Sequence, residues 1–183
     1  MNKLHHTLLF LAALLAVFWE AAFGGIRNVL GAQVSLLPAL MVYAAMSTGL
    51  VTLALLALLS GLLFDSLSAN PLGVSVLPLF AVGVMIHARR DLLLREQVFA
   101  QVVLGFLASA LAPALAVLLL LTLGESPLLG WGSLWQWLVM SAGGAAATPL
   151  LFILFGWLNQ VLGYQPVMET SFRSDREIRR GRS

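Results

Sequence analysis

The sequence predicts an all-α membrane protein, a polytopic bundle of six transmembrane helices. Hydrophobic residues make up 60% of its 183 positions and charged residues only 10%, whereas a soluble domain typically carries about 25% charge. The apolar residues also occur in runs close to the ~20 residues that cross a ~30 Å hydrocarbon core. A water-soluble surface cannot be built from this composition, so the bilayer is the main solvent.

Six apolar segments are predicted as spans, and the first ends at the Gly24-Gly25 pair. The N-terminal segment also resembles a signal peptide, but its apolar run is long for one and contains Glu20, which favours a retained first span. The apolar stretch 34–64 is too long for one ordinary span, and we interpret it as a helical hairpin that turns near Ser47 to Gly49. The predicted spans of the membrane domain 1–164 are 7–23, 34–46, 50–64, 72–86, 98–123 and 134–162.

The basic residues predict the orientation of these spans. Lys and Arg concentrate in cytoplasmic segments, so an even number of spans should separate one basic cluster from the next. Six spans with both termini in the cytoplasm meet this condition, because the clusters precede span 1, follow span 4 and follow span 6. The polar tail 165–183 then lies beside the anionic inner leaflet. The arginines expected to contact lipid or cytoplasmic partners are Arg89, Arg90, Arg95, Arg176, Arg179, Arg180 and Arg182.

Two acidic residues lie within the predicted spans. Glu20 is about one turn from the end of span 1, and Asp65 is at the end of span 3. An acid in hydrocarbon is costly and is therefore a candidate functional residue, although both are close enough to a span end to reach interfacial water or to cap a helix. The alternative is an ion pair with Arg27, the only basic residue on the predicted outer side, which would hold two helix ends together.

A turn of unusual composition follows span 3. The segment 61–73, GLLFDSLSANPLG, adds Asn70, Pro71, Leu72 and Gly73 to Asp65. Turn chemistry alone accounts for this choice, because Pro fixes φ and Gly permits a positive φ. The alternative is a stiff hairpin at the outer surface where a partner docks. These residues are therefore candidates for partner binding or for structure.

Span 6 contains a run of small residues from Ser141 to Thr148. Gly143, Gly144 and Ala147 would allow another helix backbone to approach closely. Packing inside the chain is the more common use of such a run. A seam between two proteins is the alternative.

The sequence contains no group of residues typical of catalysis or metal binding. It has no cysteine, so thiolate sites are excluded. His5, His6 and His87 lack ligand spacing, and we interpret them as interfacial residues. We expect no metal, no cofactor and no enzymatic activity. A basic stripe typical of nucleic-acid binding is absent, so nucleic acid is not an expected partner.

Gly61, Asp65, Pro71, Leu72 and Gly73 form a pattern that resembles the G-L-x-x-D…P-L-G signature of the bacterial rod shape-determining MreD family. The size of the chain, the six-span layout, the basic segment after span 4 and the basic tail are similar to this family as well. The resemblance implies a non-enzymatic scaffold of the cell-elongation complex in the bacterial inner membrane, which helps to organise peptidoglycan synthesis and cell shape. It implies an MreC-like partner, with MreB, a SEDS glycosyltransferase and a class B transpeptidase as further partners.

Members of this family are also similar in fold to the substrate-binding subunits of energy-coupling-factor transporters. The alternative function is therefore a small-molecule-binding membrane subunit with a pocket near the outer side. Trp19, Glu20, Arg27 and Asp65 are the residues expected to contribute to it. The scaffold is favoured, because four such residues are few for a vitamin-sized ligand.

Overall fold

A computed structural model of the chain describes residues 3–22, 31–68, 71–90, 97–125 and 130–161. These residues form six α-helices and no strand, so the all-α prediction is confirmed for them. Apolar runs without internal β-branched clusters favour helix, because a helix satisfies its own backbone hydrogen bonds without water. The helices are α1 (Lys3–Ala22), α2 (Leu37–Ser47), α3 (Leu50–Leu67), α4 (Val76–Ala88), α5 (Val98–Thr122) and α6 (Trp131–Val161).

Successive helices run in opposite directions, which gives the bundle two distinct ends. One end carries Glu20 and Asp65, and we call it the acidic end. At the other end His5 lies beside Asn159 of α6, and His87 of α4 lies beside the carbonyl of Ala45 in α2. We call this the histidine end.

Four of the six helices are long and apolar enough to cross a membrane, namely α1, α3, α5 and α6. The other two are apolar but shorter, with 11 residues in α2 and 13 in α4. At 1.5 Å per residue these helices measure about 16 Å and about 20 Å, well below the ~30 Å hydrocarbon core. The coarse prediction of a helical membrane protein is therefore supported, and the six-span arrangement stays a prediction.

The short helix α2 forms the centre of the bundle. Every residue from Leu37 to Met46 is buried, and α2 contacts each of the other five helices. The four long helices instead expose many large apolar side chains on their outer faces, among them Leu15, Leu59 and Leu118. Apolar residues therefore lie both in the core and on the surface, which is the distribution expected when the surrounding solvent is lipid.

The tightest helix contact joins α5 to α6 through the run of small residues. A methyl group added at Gly144 would overlap the side chain of Ser109, and one added at Gly105 would overlap Thr148 and the carbonyl of Gly144. Ala147 is buried too. Gly143 points elsewhere, since a methyl group there would lie 2.5 Å from the side chain of Val34. Gly143, Gly144 and Ala147 thus pack inside the chain.

We expect replacement of Gly144 by Leu to destabilise the bundle, because the α5 and α6 backbones would have to separate. Overpacking of this kind typically costs about 1–3 kcal/mol. Thermal unfolding of the purified protein in mild detergent, followed by tryptophan fluorescence, measures the effect. Gly156→Leu is the matched control, because Gly156 lies in the same helix with nothing near its Cα hydrogens. Equal midpoints for the two variants would contradict the packing described above.

Candidate functional site at the acidic end

Asp65 connects the end of α3 to the start of α4. Its side chain is only 1% exposed. The carboxylate oxygen Oδ2 accepts hydrogen bonds from the backbone N–H groups of Gly73, at 2.8 Å, and Ser75, at 3.1 Å. Ser75 immediately precedes α4, where the first N–H groups of a helix have no partner within the helix. Asp65 therefore supplies the acceptor that the start of α4 lacks.

The two glycines of the same segment are needed for different structural reasons. A methyl group at Gly61 would lie 2.8 Å from the Cα atom of Val76, so Gly61 lets α3 and α4 come together. Gly73 has a φ of +94°, a left-handed conformation that a side chain disfavours. We call Gly61, Asp65, Gly73, Ser75 and Val76 the Asp65 joint. The joint explains three positions of the sequence pattern by local geometry.

The turn held by the joint leaves two apolar residues exposed. Pro71 is exposed, and Leu72 is 71% exposed. Span 4 was predicted to begin at residue 72, but α4 begins at Val76. Residues 72–75 instead form turns, in which the N–H groups of Gly73 and Ser75 donate to Asp65 and the N–H of Val74 donates to the carbonyl of Pro71. The joint thus presents Leu72 at the acidic end in a fixed position.

Glu20 connects α1 to α2 in the same way that Asp65 connects α3 to α4. It lies two residues before the end of α1, and its Oε1 accepts a hydrogen bond from the backbone N–H of Leu36, which precedes α2. The Ser35 hydroxyl also interacts with the carboxylate. Glu20 is only 7% exposed. Of the two roles expected for these acids, contact with interfacial water or helix capping, the structure shows capping, because each acid turns inward to the start of the next helix.

Two glutamines that the sequence analysis did not single out hold the segment before α2. The backbone N–H of Gln33 donates to the side chain of Gln136 at 2.9 Å, and the Gln136 amide donates back to the Gln33 carbonyl at 2.7 Å. The Gln33 amide in turn donates to the carbonyl of Glu20. An amide within the apolar start of α6 was the available signal, since polar side chains in membrane helices commonly bond across helices.

A cavity of about 300 Å³ lies beside Glu20 at the acidic end. It separates the end of α1 from the end of α3. Trp19 and Asp65, which were expected to form a pocket together with Glu20, do not line it. The lining residues are Val17, Glu20, Ala21, Gln33, Phe64, Leu67 and Ser68.

The histidine end contains an aromatic cluster. His5 is only 5% exposed, with Nδ1 at 3.4 Å from Oδ1 of Asn159, and its ring lies near that of Tyr43, which stacks on Phe155 at 4.3 Å between centroids. His5 is therefore buried at the end of the bundle, because α1 turns this residue toward α2 and α6, and its position at a membrane interface stays a prediction. His87 is half-buried, with Nδ1 at 2.9 Å from the carbonyl oxygen of Ala45.

Two of the predicted lipid-contacting arginines lie at the histidine end. Arg89 and Arg90 are exposed just after α4, and Arg90 donates to the carbonyl of Thr48 at 3.4 Å. In the part of the chain that the structure describes, no three His, Asp or Glu side chains come together as a metal site would require. The other candidate residues lie outside the described residues, as does the tail 165–183. They are Arg27, Asn70, Arg95, Arg176, Arg179, Arg180 and Arg182.

We expect Asp65→Ala to destabilise the bundle by about 2 kcal/mol or more, because two backbone N–H groups lose their acceptor and each such loss costs about 1–3 kcal/mol. Asp65→Asn keeps an acceptor without the charge, so its loss should be smaller. Thermal unfolding in mild detergent measures both. Ser66→Ala is the control, since the exposed Ser66 hydroxyl bonds only within its own helix. An Asp65→Ala midpoint equal to that of the control would show that the joint contributes nothing to stability.

Comparisons with known proteins place no relative beside this chain. A functional proposal therefore rests on the structure itself. Its main features are four helices of membrane length, an acidic end with the Asp65 joint and the Glu20 cavity, and a histidine end with exposed arginines. No protein-family model, no curated protein and no solved structure matches it.

Proposed function

We propose that this chain is a non-enzymatic scaffold of the cell-elongation complex in the bacterial inner membrane. In this proposal the protein has six spans and both termini in the cytoplasm. It binds an MreC-like membrane protein and helps to organise peptidoglycan synthesis and cell shape. The proposal starts from the resemblance of the 61–73 segment to the MreD family.

The observation that carries the proposal is the Asp65 joint with its exposed Leu72. The joint stiffens the turn through two hydrogen bonds to one buried carboxylate, and it leaves Leu72 71% exposed. A rigid surface loses little conformational freedom when a partner binds, which favours affinity. The same residues carry the family signature, so the proposed partner surface and the resemblance coincide. Gly144 of α6 packs against α5, and Gly143 packs against Val34. In this proposal the acidic end is therefore the favoured surface for docking.

The proposed orientation is supported by the positions of the described charges. Arg89 and Arg90 are exposed at the histidine end, opposite Glu20 and Asp65. Arginines concentrate on the cytoplasmic side of membrane proteins, so the histidine end is assigned to the cytoplasm. There the arginines would contact anionic lipid or cytoplasmic partners such as MreB, each worth about 1 kcal/mol near a charged leaflet. The acidic end then faces outward.

The orientation is tested with single cysteines, because the chain has none of its own. Glu125→Cys lies beyond the end of α5 at the acidic end, and Ala88→Cys lies at the histidine end; both positions are exposed. We expect a membrane-impermeant maleimide added to intact spheroplasts to label Glu125→Cys and to label Ala88→Cys only after lysis. Labelling in the reverse order would overturn the assigned orientation.

The scaffold function is tested by affinity purification of the tagged protein from its native membranes, followed by mass spectrometry. We expect recovery of an MreC-like protein together with a SEDS glycosyltransferase and a class B transpeptidase. Leu72→Ser should lower this recovery roughly tenfold, because burying a leucine contributes about 1.5–3 kcal/mol, without changing the unfolding midpoint. Val51→Ser is the control, since Val51 is similarly exposed at the histidine end. Recovery of paired ATPases in place of wall-synthesis proteins would overturn the scaffold.

The second candidate function is a small-molecule-binding subunit of an energy-coupling-factor type transporter. The cavity beside Glu20 favours it, because about 300 Å³ is at the lower limit of ligand pockets. Among the described residues that line it, three are polar, namely Glu20, Gln33 and Ser68. A vitamin-sized ligand needs more contacts than these, so the scaffold remains the leading proposal.

A further inference from the structure

One carboxylate oxygen of Glu20 has no hydrogen-bond partner within the described part of the chain. Oε1 accepts from the N–H of Leu36, whereas Oε2 is buried and has no hydrogen-bond partner. A buried polar atom without a partner costs free energy, and a carboxylate in a membrane protein normally pairs with another group. Glu20 therefore presents an acceptor that a bound group could satisfy.

The cavity beside Glu20 has the composition of a site for a small amphiphile. Its polar side chains are Glu20, Gln33 and Ser68, and each carries an oxygen that accepts hydrogen bonds. Its remaining walls are apolar and come from the facing ends of α1 and α3. Ala21 and Leu67 are exposed at its rim, so the cavity is accessible from the acidic end. The apolar wall residues are Val17, Ala21, Phe64 and Leu67.

We propose that this cavity binds a primary ammonium group. An ammonium has three donors and no acceptor, which matches a site that offers a carboxylate, an amide carbonyl and a hydroxyl. Its positive charge would pair with the Glu20 carboxylate, which has to turn slightly toward the cavity because Oε2 is buried. The proposal concerns a ligand of the bundle, so it stands independently of the scaffold function.

A phospholipid headgroup is the favoured source of the ammonium. Glu20 lies two residues from the end of a helix of membrane length, and if α1 spans the bilayer this position is close to the headgroups. On the same turns Phe18 of α1 and Leu63 of α3 expose apolar side chains on which acyl chains can pack. Phosphatidylethanolamine provides a primary ammonium, and a free amine such as ethanolamine provides the same group without the chains.

The test is native mass spectrometry of the full chain in mild detergent with phosphatidylethanolamine, phosphatidylcholine or phosphatidylglycerol added. We expect selective retention of phosphatidylethanolamine, because the quaternary ammonium of phosphatidylcholine has no N–H donor and phosphatidylglycerol has no amine. Ethanolamine identifies the source: displacement of bound lipid shows that the amine suffices, and retention of the lipid shows that its chains are needed. Either result supports an ammonium site.

Glu20→Gln should weaken phosphatidylethanolamine binding about tenfold, since it removes the charge but keeps an oxygen for the Leu36 N–H. Glu125→Gln is the matched control, because it removes an exposed carboxylate from the same end of the bundle. Ala21→Phe fills the rim of the cavity and leaves the hydrogen bonds of Glu20 unchanged. This variant therefore tests the ammonium site if Glu20→Gln does not fold. We expect loss of binding in Ala21→Phe and wild-type binding in the control.

Equal binding of the three lipids by the wild type would overturn the proposal. Undiminished binding in Glu20→Gln or in Ala21→Phe would overturn it too, because the ammonium would then lie elsewhere. An unchanged lipid preference alongside failed recovery of wall-synthesis proteins would overturn the scaffold while leaving the ammonium site intact.

Discussion

The interaction on which this fold depends is the cap that a buried carboxylate provides for the start of the following helix. It occurs twice, with Glu20 accepting from Leu36 and Asp65 accepting from Gly73 and Ser75. In each case the acid lies two residues before the end of one helix and serves the residue that precedes the next. The first N–H groups of a helix lack internal partners, and in an apolar surrounding they find no water. A negative charge there also interacts favourably with the helix dipole.

The two caps make short helices possible inside the bundle. The helices that follow the acids, α2 and α4, are the two that fall short of membrane length. The first N–H groups of these two helices therefore lie inside the bundle, beneath its acidic end. There a protein acceptor takes the place of water. The central position of α2 follows from this arrangement, because a short helix can be surrounded on every side by longer ones.

The same interaction separates the two sites of the acidic end. Around Asp65 the chain closes tightly, with Gly61 against Val76, and the outcome is a stiff turn that presents Leu72. Around Glu20 the chain remains open, and the outcome is a cavity beside the carboxylate. Each acid keeps one buried oxygen without a hydrogen-bond partner, so the cavity is what separates the two sites. A rigid turn suits a protein partner, whereas an open cavity suits a small ligand. One kind of cap therefore underlies both of the binding modes proposed for the acidic end.

The sequence by itself determined the class of this protein, since composition and apolar run length are local properties that specify helices in a bilayer. It also identified Glu20, Asp65 and the 61–73 pattern, because acids, proline and glycine stand out among apolar residues. Only the tertiary structure decided that both acids are buried, that His5 packs against an aromatic cluster, and that Gln33 pairs with Gln136. These facts depend on which way each side chain faces. An almost uniformly apolar helix has no polar stripe that predicts which of its faces points into the bundle. Packing against the neighbouring helices determines that orientation instead.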